Sequence, residues 1–257
     1  MLKKTPCNSI SCGAGYFFAG VRMLLRPELR KYILIPLLVN CFIFIALTTI
    51  LVQQFDSFTS INWHLPEWLD FLEKTLKWVV WFLLVVVLVI AYGYTFNIVT
   101  NIIAAPFYGL LAQKTETLIT GIAVDDEALL KMIPRTIGRE FKKLLYFITR
   151  GIFILLIMVL LGTIPLLNFS VPVVGTLWSA WCMAIQYVDY SADNHQTDFR
   201  RLRKKLRKQK YSSIGFGGTV MGCSMIPFVN ILAMPAAVVG GTLFWTQELR
   251  NLDRNNG

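Results

Sequence analysis

Charge is scarce in this chain: Asp, Glu, Lys and Arg together make up 16% of its 257 residues, while 55% are hydrophobic. A soluble domain of this length cannot bury so much apolar surface, so the composition excludes an ordinary globular enzyme and points to an integral membrane protein. Histidine is scarcer still, at two residues, and no H-E-x-x-H, G-x-S-x-G or P-loop pattern occurs. Hydrolytic, metalloprotease and nucleotide-dependent machinery therefore lack their usual parts, and neither an enzyme nor a resident cofactor is expected. The five cysteines (Cys7, Cys12, Cys41, Cys182, Cys223) include no C-x-x-C pair. Three of them lie in apolar stretches, where sulfur behaves as a small hydrophobe, so no disulfide and no metal site is expected. MLKKTPCNSISCGAG has basic residues but no apolar core ahead of its small residues, so a cleaved signal peptide is not expected and targeting falls to the first membrane helix.

The net charge of +10 is read by position, because Lys and Arg accumulate on the cytoplasmic side of membrane proteins. Residues 1–32 hold six Lys/Arg against one Glu, whereas 53–77 hold four acids (Asp56, Glu67, Asp70, Glu73) and two lysines. The first stretch is expected inside and the second outside. Two segments have the roughly 20 apolar residues that a bilayer crossing requires, Ile33 to Val52 and Trp78 to Asn97. Trp63 and Trp68 between them suit an interfacial aromatic belt, and His64 reads as a loop residue. The stretch 100–150 carries seven Lys/Arg and is expected to be cytoplasmic, with a helix starting at Pro106 and another after the acids of DDEALLKMI. After Pro134, Ile137, Phe141, Leu144 and Ile148 fall at helical spacing, with Arg135, Arg139 and Lys142 elsewhere on the surface; this predicts an interfacial amphipathic helix.

Two further apolar stretches, 151–188 and 214–245, are each entered and left by polar, cytoplasmic-looking sequence. Prolines interrupt them at Pro165 and Pro172, and at Pro227 and Pro235, where a helix-interior proline costs about 3 kcal/mol. The resulting arms are about 15 to 17 residues in the first and about 13 in the second, the latter roughly 20 Å against a core of about 30 Å. Both read as re-entrant hairpins that turn inside the membrane near Asn168 and Asn230 and must shelter the backbone of the turn. The device recurs, as IPLLN at 164–168, IPFVN at 226–230 and IPLLVN at 35–40. Repeated proline-interrupted short apolar segments point to a transport pathway.

Three polar clusters stand out. In RPELRKYILIPLL, Pro27 at the first helical position leaves the N–H groups of Glu28, Leu29 and Arg30 without partners earlier in the helix, beside Arg26, Arg30 and Lys31. That combination makes an anion site; it is also what an ordinary cytoplasmic membrane entry looks like. DFRRLRKKLRKQK (198–210) carries eight Lys/Arg with Phe199, Leu202 and Leu206 as a thin apolar stripe. It reads as a helix lying on anionic headgroups, and no groove-reading motif accompanies it to favour nucleic acid. QYVDYSADNHQTD brings Asp189, Asp193 and His195 close together in sequence, where helix capping and a tie to the basic 198–210 segment fit better than a metal. Glu140 and Asp189 are the acids expected nearest a cavity.

YFFAG, RPELRKYILIPLLVN, NIIAAPFYGLLA, SAWCMAIQYVDYSADNH and MIPFVNILAMPAAVVGGT, in that order from Tyr16 to Thr242, together resemble the CysZ family of bacterial inner-membrane sulfate permeases. The resemblance implies an all-α fold with two full spans and two partly penetrating hairpins, a homo-oligomer, and sulfate uptake feeding cysteine synthesis. The family's sulfate-binding stretch is similar to Leu29, Arg30 and Lys31 here, while Glu28 stands where the family has glycine. That leaves a backbone N–H at 28 but adds a carboxylate, and Lys31 lacks the planar fork of an arginine.

The combined expectation is an all-α integral membrane protein, a single membrane domain over 1–257. It has spans at 33–52 and 78–97, hairpins at 151–188 and 214–245, interfacial or cytoplasmic helical segments at 100–150 and 196–211, and both termini in the cytoplasm. Sulfate is expected at the Glu28 backbone, Leu29, Arg30 and Lys31, with Asn40, Asn97 and Asn101 along the path. Anionic lipid headgroups at 200–210 and further copies of the chain are the expected partners, not nucleic acid. The alternatives are a membrane-shaping or lipid-handling scaffold and an accessory subunit of another transporter.

Overall fold

The computed structural model describes residues 7–59, 70–122, 129–226 and 229–253. The loop bearing Trp63, His64 and Trp68, the acids of DDEALLKMI and Pro227 lie outside the described residues. So do the side chains of Arg30, Lys31, Asn40, Asn97 and Asn101. Within the described residues the chain is helical and contains no strand: α1 (Ile10–Leu24), α2 (Pro27–Thr59), α3 (Asp70–Thr120), α4 (Leu129–Thr163), α5 (Ser170–Asn194), α6 (Phe199–Lys208), α7 (Lys210–Ser224) and α8 (Val229–Phe244). A π-helical turn, Trp245–Leu249, and a 3-10 turn, Arg250–Asp253, follow α8. Two compact units result: Met1–Ile35 with Ala105–Gly257, and Pro36–Ala104.

The smaller unit consists of the greater part of α2 and of α3, and the expected spans 33–52 and 78–97 are helical in their described parts. Thr48 and the Tyr92 hydroxyl meet at 2.7 Å, and the Phe44 ring meets that of Tyr92 edge-on at 6.3 Å. Much of the remaining surface here is apolar and open, including Phe42, Ile45, Val87 and Val89.

The larger unit is built on α1, α5, α7 and α8. Their axes come close because the contact positions are glycine or alanine: a Cβ on Gly217 would collide with the Ala180 carbonyl of α5, and one on Gly20 with Ala236 and Gly240 of α8. Gly13 and Gly215 sit equally tight against Ser212 and Ile10. Small residues at crossings are how membrane helices associate, since lipid tails remove the hydrophobic drive that sorts helices in water. Helix α1 was not anticipated. It starts at Ser9, whose hydroxyl caps the Cys12 N–H at 3.2 Å, and it buries Gly13, Phe17, Gly20 and Leu24 along one stripe.

Four expectations change. Pro106, Pro134 and Pro235 lie inside α3, α4 and α8 and begin or end none of them; neighbouring helices make good the freed groups at such positions. Pro172 occupies the first turn of α5, where its missing N–H has no intrahelical role, so α5 runs unbroken for 25 residues. The expected interfacial helix is continuous with the apolar arm after it, giving one 35-residue α4. Cys7 and Cys12 are joined by a disulfide, their Cα atoms 6.2 Å apart, contrary to the expectation of none; a five-residue separation is outside the C-x-x-C pattern that was sought.

By length and composition α4 and α5 are each sufficient to cross a membrane. They meet in a turn over 164–169 whose tip is almost fully open, with Leu166 89% and Phe169 85% exposed. The turn meets part of its backbone demand within itself. Leu167 and Asn168 N–H donate to Ile164 O (2.9 and 3.1 Å), Ser170 N–H to Leu167 O (2.9 Å) and Val171 N–H to Asn168 O (3.1 Å).

Candidate functional site

Helix α4 is inside out. Its buried face is polar, carrying Thr136, Glu140 and Lys143 beside Met132, while Phe141, Leu145, Ile148 and Ile152 on the other side are exposed. A helix with that arrangement is suited to lipid, because charge can be shielded only by facing the bundle interior.

Arg135, Arg139 and Lys143 recur every fourth residue and so form one rank along α4. Asp189 and Asp193, one turn apart on α5, face it. Arg139 reaches Asp189 Oδ1 with Nη2 at 2.6 Å and with Nε at 2.9 Å, and gives Nη1 to the Thr197 carbonyl at 2.6 Å. Lys143 bridges Glu140 (2.5 Å) and Asp189 Oδ2 (3.3 Å) and lies 4.5 Å from the centre of the Tyr190 ring. Arg135 pairs with Asp193 Oδ1 at 2.6 Å, and the Thr136 hydroxyl donates to Asp193 Oδ2 at 3.1 Å. Lys143 and Asp189 are both 1% exposed. Charges so deeply placed persist only when paired and hydrogen-bonded on several sides, and three cations here face three carboxylates.

A second ionic cluster joins α3 to the C-terminal segment. The Glu116 carboxylate, 1% exposed, receives Arg250 Nη1 at 2.8 Å and meets His195 Nε2 at 2.8 Å. The His195 ring stacks on Trp245, and Lys205 donates to the carbonyls of Leu249 and Arg250 at 3.0 and 3.3 Å. Tyr16 donates to Glu248 at 2.9 Å. Burial first, then that bond, hold its phenol well above the ordinary value. Thus Asp189, Asp193 and His195 are not tied to the 198–210 segment as expected from sequence. The two aspartates bind α4 and the histidine binds α3, because successive α5 turns present them to different neighbours. Arg139, expected at the surface, has a side chain only 11% exposed.

Helix α6 turns its apolar stripe inward and most of its basic residues outward. Its apolar residues Phe199, Leu202 and Leu206 are buried in protein, and Arg203 lies over the Tyr146 and Phe199 rings at 4.4 and 4.9 Å. Arg200, Arg201, Lys204, Arg207 and Lys208 form the exposed arc. Asp198 caps the helix by accepting from Arg200 N–H at 2.9 Å. Slight burial acts upward on its carboxyl, but the Arg200 and Arg201 amides and the charges of Arg139 and Arg200 outweigh it and hold it below the usual range.

Of the residues expected to bind sulfate, Glu28, Leu29, Arg30 and Lys31 form the first turn of α2. Glu28 is exposed, and Leu29 is fully buried as an anchor of that turn. The Leu29 N–H donates to the Arg26 carbonyl at 3.1 Å, so it is not among the free donors anticipated there. Asn40 lies in α2, and Asn97 and Asn101 in α3, all within the unit Pro36–Ala104, whereas the α2 turn belongs to the other unit. The ionic rank was missed as a unit. Its signal was the four-residue spacing of 135, 139 and 143 opposite that of 189 and 193, hidden by treating residues around Arg139 as one face of a surface helix.

What fold and interior define is a helical membrane protein that exposes broad apolar helix faces and buries balanced charge between helices. Residues 16–235 match the family described as sulfate transporter CysZ/etoposide-induced protein 2.4, and the chain belongs to that family. Among relatives named sulfate transporter CysZ, that of Pseudomonas fluorescens is 40% identical over 243 residues, covering 92% of this chain and 93% of the relative. The Pseudomonas aeruginosa protein is 39% identical, with 92% and 95% covered, and that of Vibrio parahaemolyticus 37%, with 95% and 98% covered.

Proposed function

We propose that this protein is a permease or channel that passes sulfate, without chemical change, across the bacterial inner membrane to supply cysteine synthesis. The observation that carries the reading is the family match over residues 16–235, in a chain whose relatives are named sulfate transporters; the α4–α5 rank, its charges balanced, holds the bundle that surrounds the path. Sulfate is a strongly hydrated dianion, so its path must replace water with N–H donors and cationic side chains that hold it loosely. The cytoplasmic-side binding site is the first turn of α2, with the backbone at Glu28 and the side chains of Arg30 and Lys31 as ligands and buried Leu29 as the fixed point. Asn40, Asn97 and Asn101 serve the path.

In this reading the chain works as one membrane domain and as a homo-oligomer, with both termini in the cytoplasm. The two hairpins penetrate part of the bilayer. In α4 the uncharged run after Arg150 is 13 residues to Thr163, or about 20 Å, and the turn beyond it bonds the N–H groups of Leu167, Asn168 and Ser170 locally. The exposed basic arc of α6 meets anionic headgroups, worth about 1 kcal/mol for each Lys or Arg near the surface.

The test is flux of labelled sulfate into liposomes holding the purified protein, with and without a proton gradient. Uptake that Arg30→Ala lowers severalfold is the expected result. Exclusion of sulfate overturns the reading and leaves a scaffold, or an accessory subunit if flux returns with a copurified partner.

A further inference from the structure

The N-terminal segment is a joint between elements far apart in sequence, and the disulfide closes it. Ser9 caps α1 by accepting from Cys12 N–H at 3.2 Å. Asn8 sits at the break between α6 and α7: its Oδ1 accepts from Tyr211 and Ser212 N–H at 3.0 and 3.3 Å, and its Nδ2 donates to the Lys208 carbonyl at 3.3 Å. The Ser212 hydroxyl donates to the Cys7 carbonyl at 2.7 Å and receives Ser9 N–H at 3.2 Å. Cys7 N–H points to Glu248 Oε1 at 3.4 Å, on the C-terminal π-turn. The Cys7–Cys12 bond encircles the cap of α1, linking the second residue before it to the third helical residue. It is a covalent counterpart of the hydrophobic staple that fixes the entry of a chain into a helix. Cys7 and Cys12 are half-buried, with exposed Asn8, Ile10 and Ser11 between them.

Residues 1–32 carry the basic excess of a cytoplasmic segment, and the cytosol keeps structural thiols reduced; a cytosolic disulfide is ordinarily transient, either catalytic or redox-sensing. Resting on the cytoplasmic N-terminus proposed above, we propose that Cys7 and Cys12 form a reversible thiol–disulfide modification site, whose co-reactant is a small-molecule disulfide of the glutathione type. One cysteine thiolate attacks that disulfide, forming a mixed disulfide and expelling one thiolate. The second cysteine, as thiolate, then displaces the other small-molecule thiolate and closes the Cys7–Cys12 bond. Two protein thiols are oxidised, one small disulfide is reduced to two thiols, and the two cysteine protons pass to solvent and the leaving thiolates. Closure locks the cap shared by α1 and α7; opening leaves that cap to hydrogen bonds alone. Cys41, Cys182 and Cys223 are free thiols and stand outside this exchange.

The test uses the full-length protein equilibrated with glutathione and glutathione disulfide in a series of ratios, then alkylated and weighed by peptide. The 7–12 peptide is expected to pass from two alkyl groups to none across the series, while the peptides bearing Cys41, Cys182 and Cys223 stay alkylated. Amide exchange at Cys12, Tyr211 and Ser212 is expected to be about fivefold slower in the closed form, the size of one helix cap. Cys7→Ser should exchange at the open-form rate throughout. A pair that stays alkylated in the most oxidising mixture, stays bonded in the most reducing one, or closes with no change in amide exchange overturns the inference. Acid-quenched growing cells separate this from the membrane orientation. Both cysteines are expected as thiols there; if they are bonded in cells while the purified pair exchanges normally, the cytoplasmic placement is what fails.

Discussion

The hairpins α4/α5 and α7/α8 come from similar sequence, each a proline-bearing apolar run between polar flanks, yet they occupy opposite environments. The tip and outer face of the first are open, as at Phe153, Leu160, Leu166 and Phe169. Most of α8 is enclosed: Ala236, Ala237, Val238, Val239 and Phe244 are fully buried or nearly so. Their glycines show why. Gly162 on α4 has open space where a Cβ would stand, whereas Gly217 on α7 is pressed against Ala180 and Gly241 after α8's midpoint against the Tyr187 carbonyl. Both are apolar runs; contact separates them. Ion pairs tie α4 to α5, whereas close steric fit seats α7 and α8 against α5 and α1.

That contrast can be broken in order of effect. Asp189→Ala strips the shared counter-charge from Arg139 and Lys143 and is expected to cost about 3–5 kcal/mol, read as lost thermal stability in detergent. A loss below about 1 kcal/mol, the value of an exposed pair, would mean that the rank is wet and that charge does not hold the first hairpin. Gly217→Ala forces α5 and α7 apart and is expected to cost about 3 kcal/mol, at the upper end for an overpacked core. Unchanged stability there would remove the steric half of the comparison.

Alkaline pH gives a smaller effect, on the α1 side of the packed region. The Tyr16 phenol is raised in the fold, so the unfolded chain ionises first, near pH 10, and binds fewer protons than the native state above it. The stability it contributes is complete below pH 10 and is lost as pH rises toward the folded value. Tyr16→Phe should flatten that loss in a pH series of unfolding curves, although it also removes the 2.9 Å bond to Glu248. Gly162→Ala, in the open hairpin at the second-last residue of α4, is expected to gain up to about 0.5 kcal/mol from helix propensity, the reverse sign of Gly217→Ala. Leu166→Ser should shift detergent stability by less than about 0.5 kcal/mol, because its side chain touches little.

How much of this was legible in the sequence varies by element. The family resemblance, the helical character and the membrane setting were readable because each rests on long blocks or on composition summed over many residues. The tip near Asn168 was readable because Pro165 and the polar break interrupt a long apolar run. Pro106, Pro134 and Pro235 misled because a proline removes one donor, and whether that ends a helix depends on what neighbouring elements offer in return; Pro172 misled because it falls in a first turn, where no intrahelical bond is lost. Helix α1 was overlooked because its buried stripe is half glycine, and Gly13 and Gly20 score as weak helix formers rather than as contact surface. The Cys7–Cys12 pair was overlooked because bonding depends on where the cap turns the chain.

The sequence by itself determined the solvent this protein folds in, because hydropathy and the placement of Lys and Arg add up residue by residue with no knowledge of neighbours. Tertiary structure alone decided which charges face each other, which glycines mark a contact and which prolines leave their helix intact. Those are properties of pairs brought together from distant parts of the chain: Arg139 with Asp189, Gly217 with Ala180, Glu116 with Arg250. No local window holds both members of such a pair.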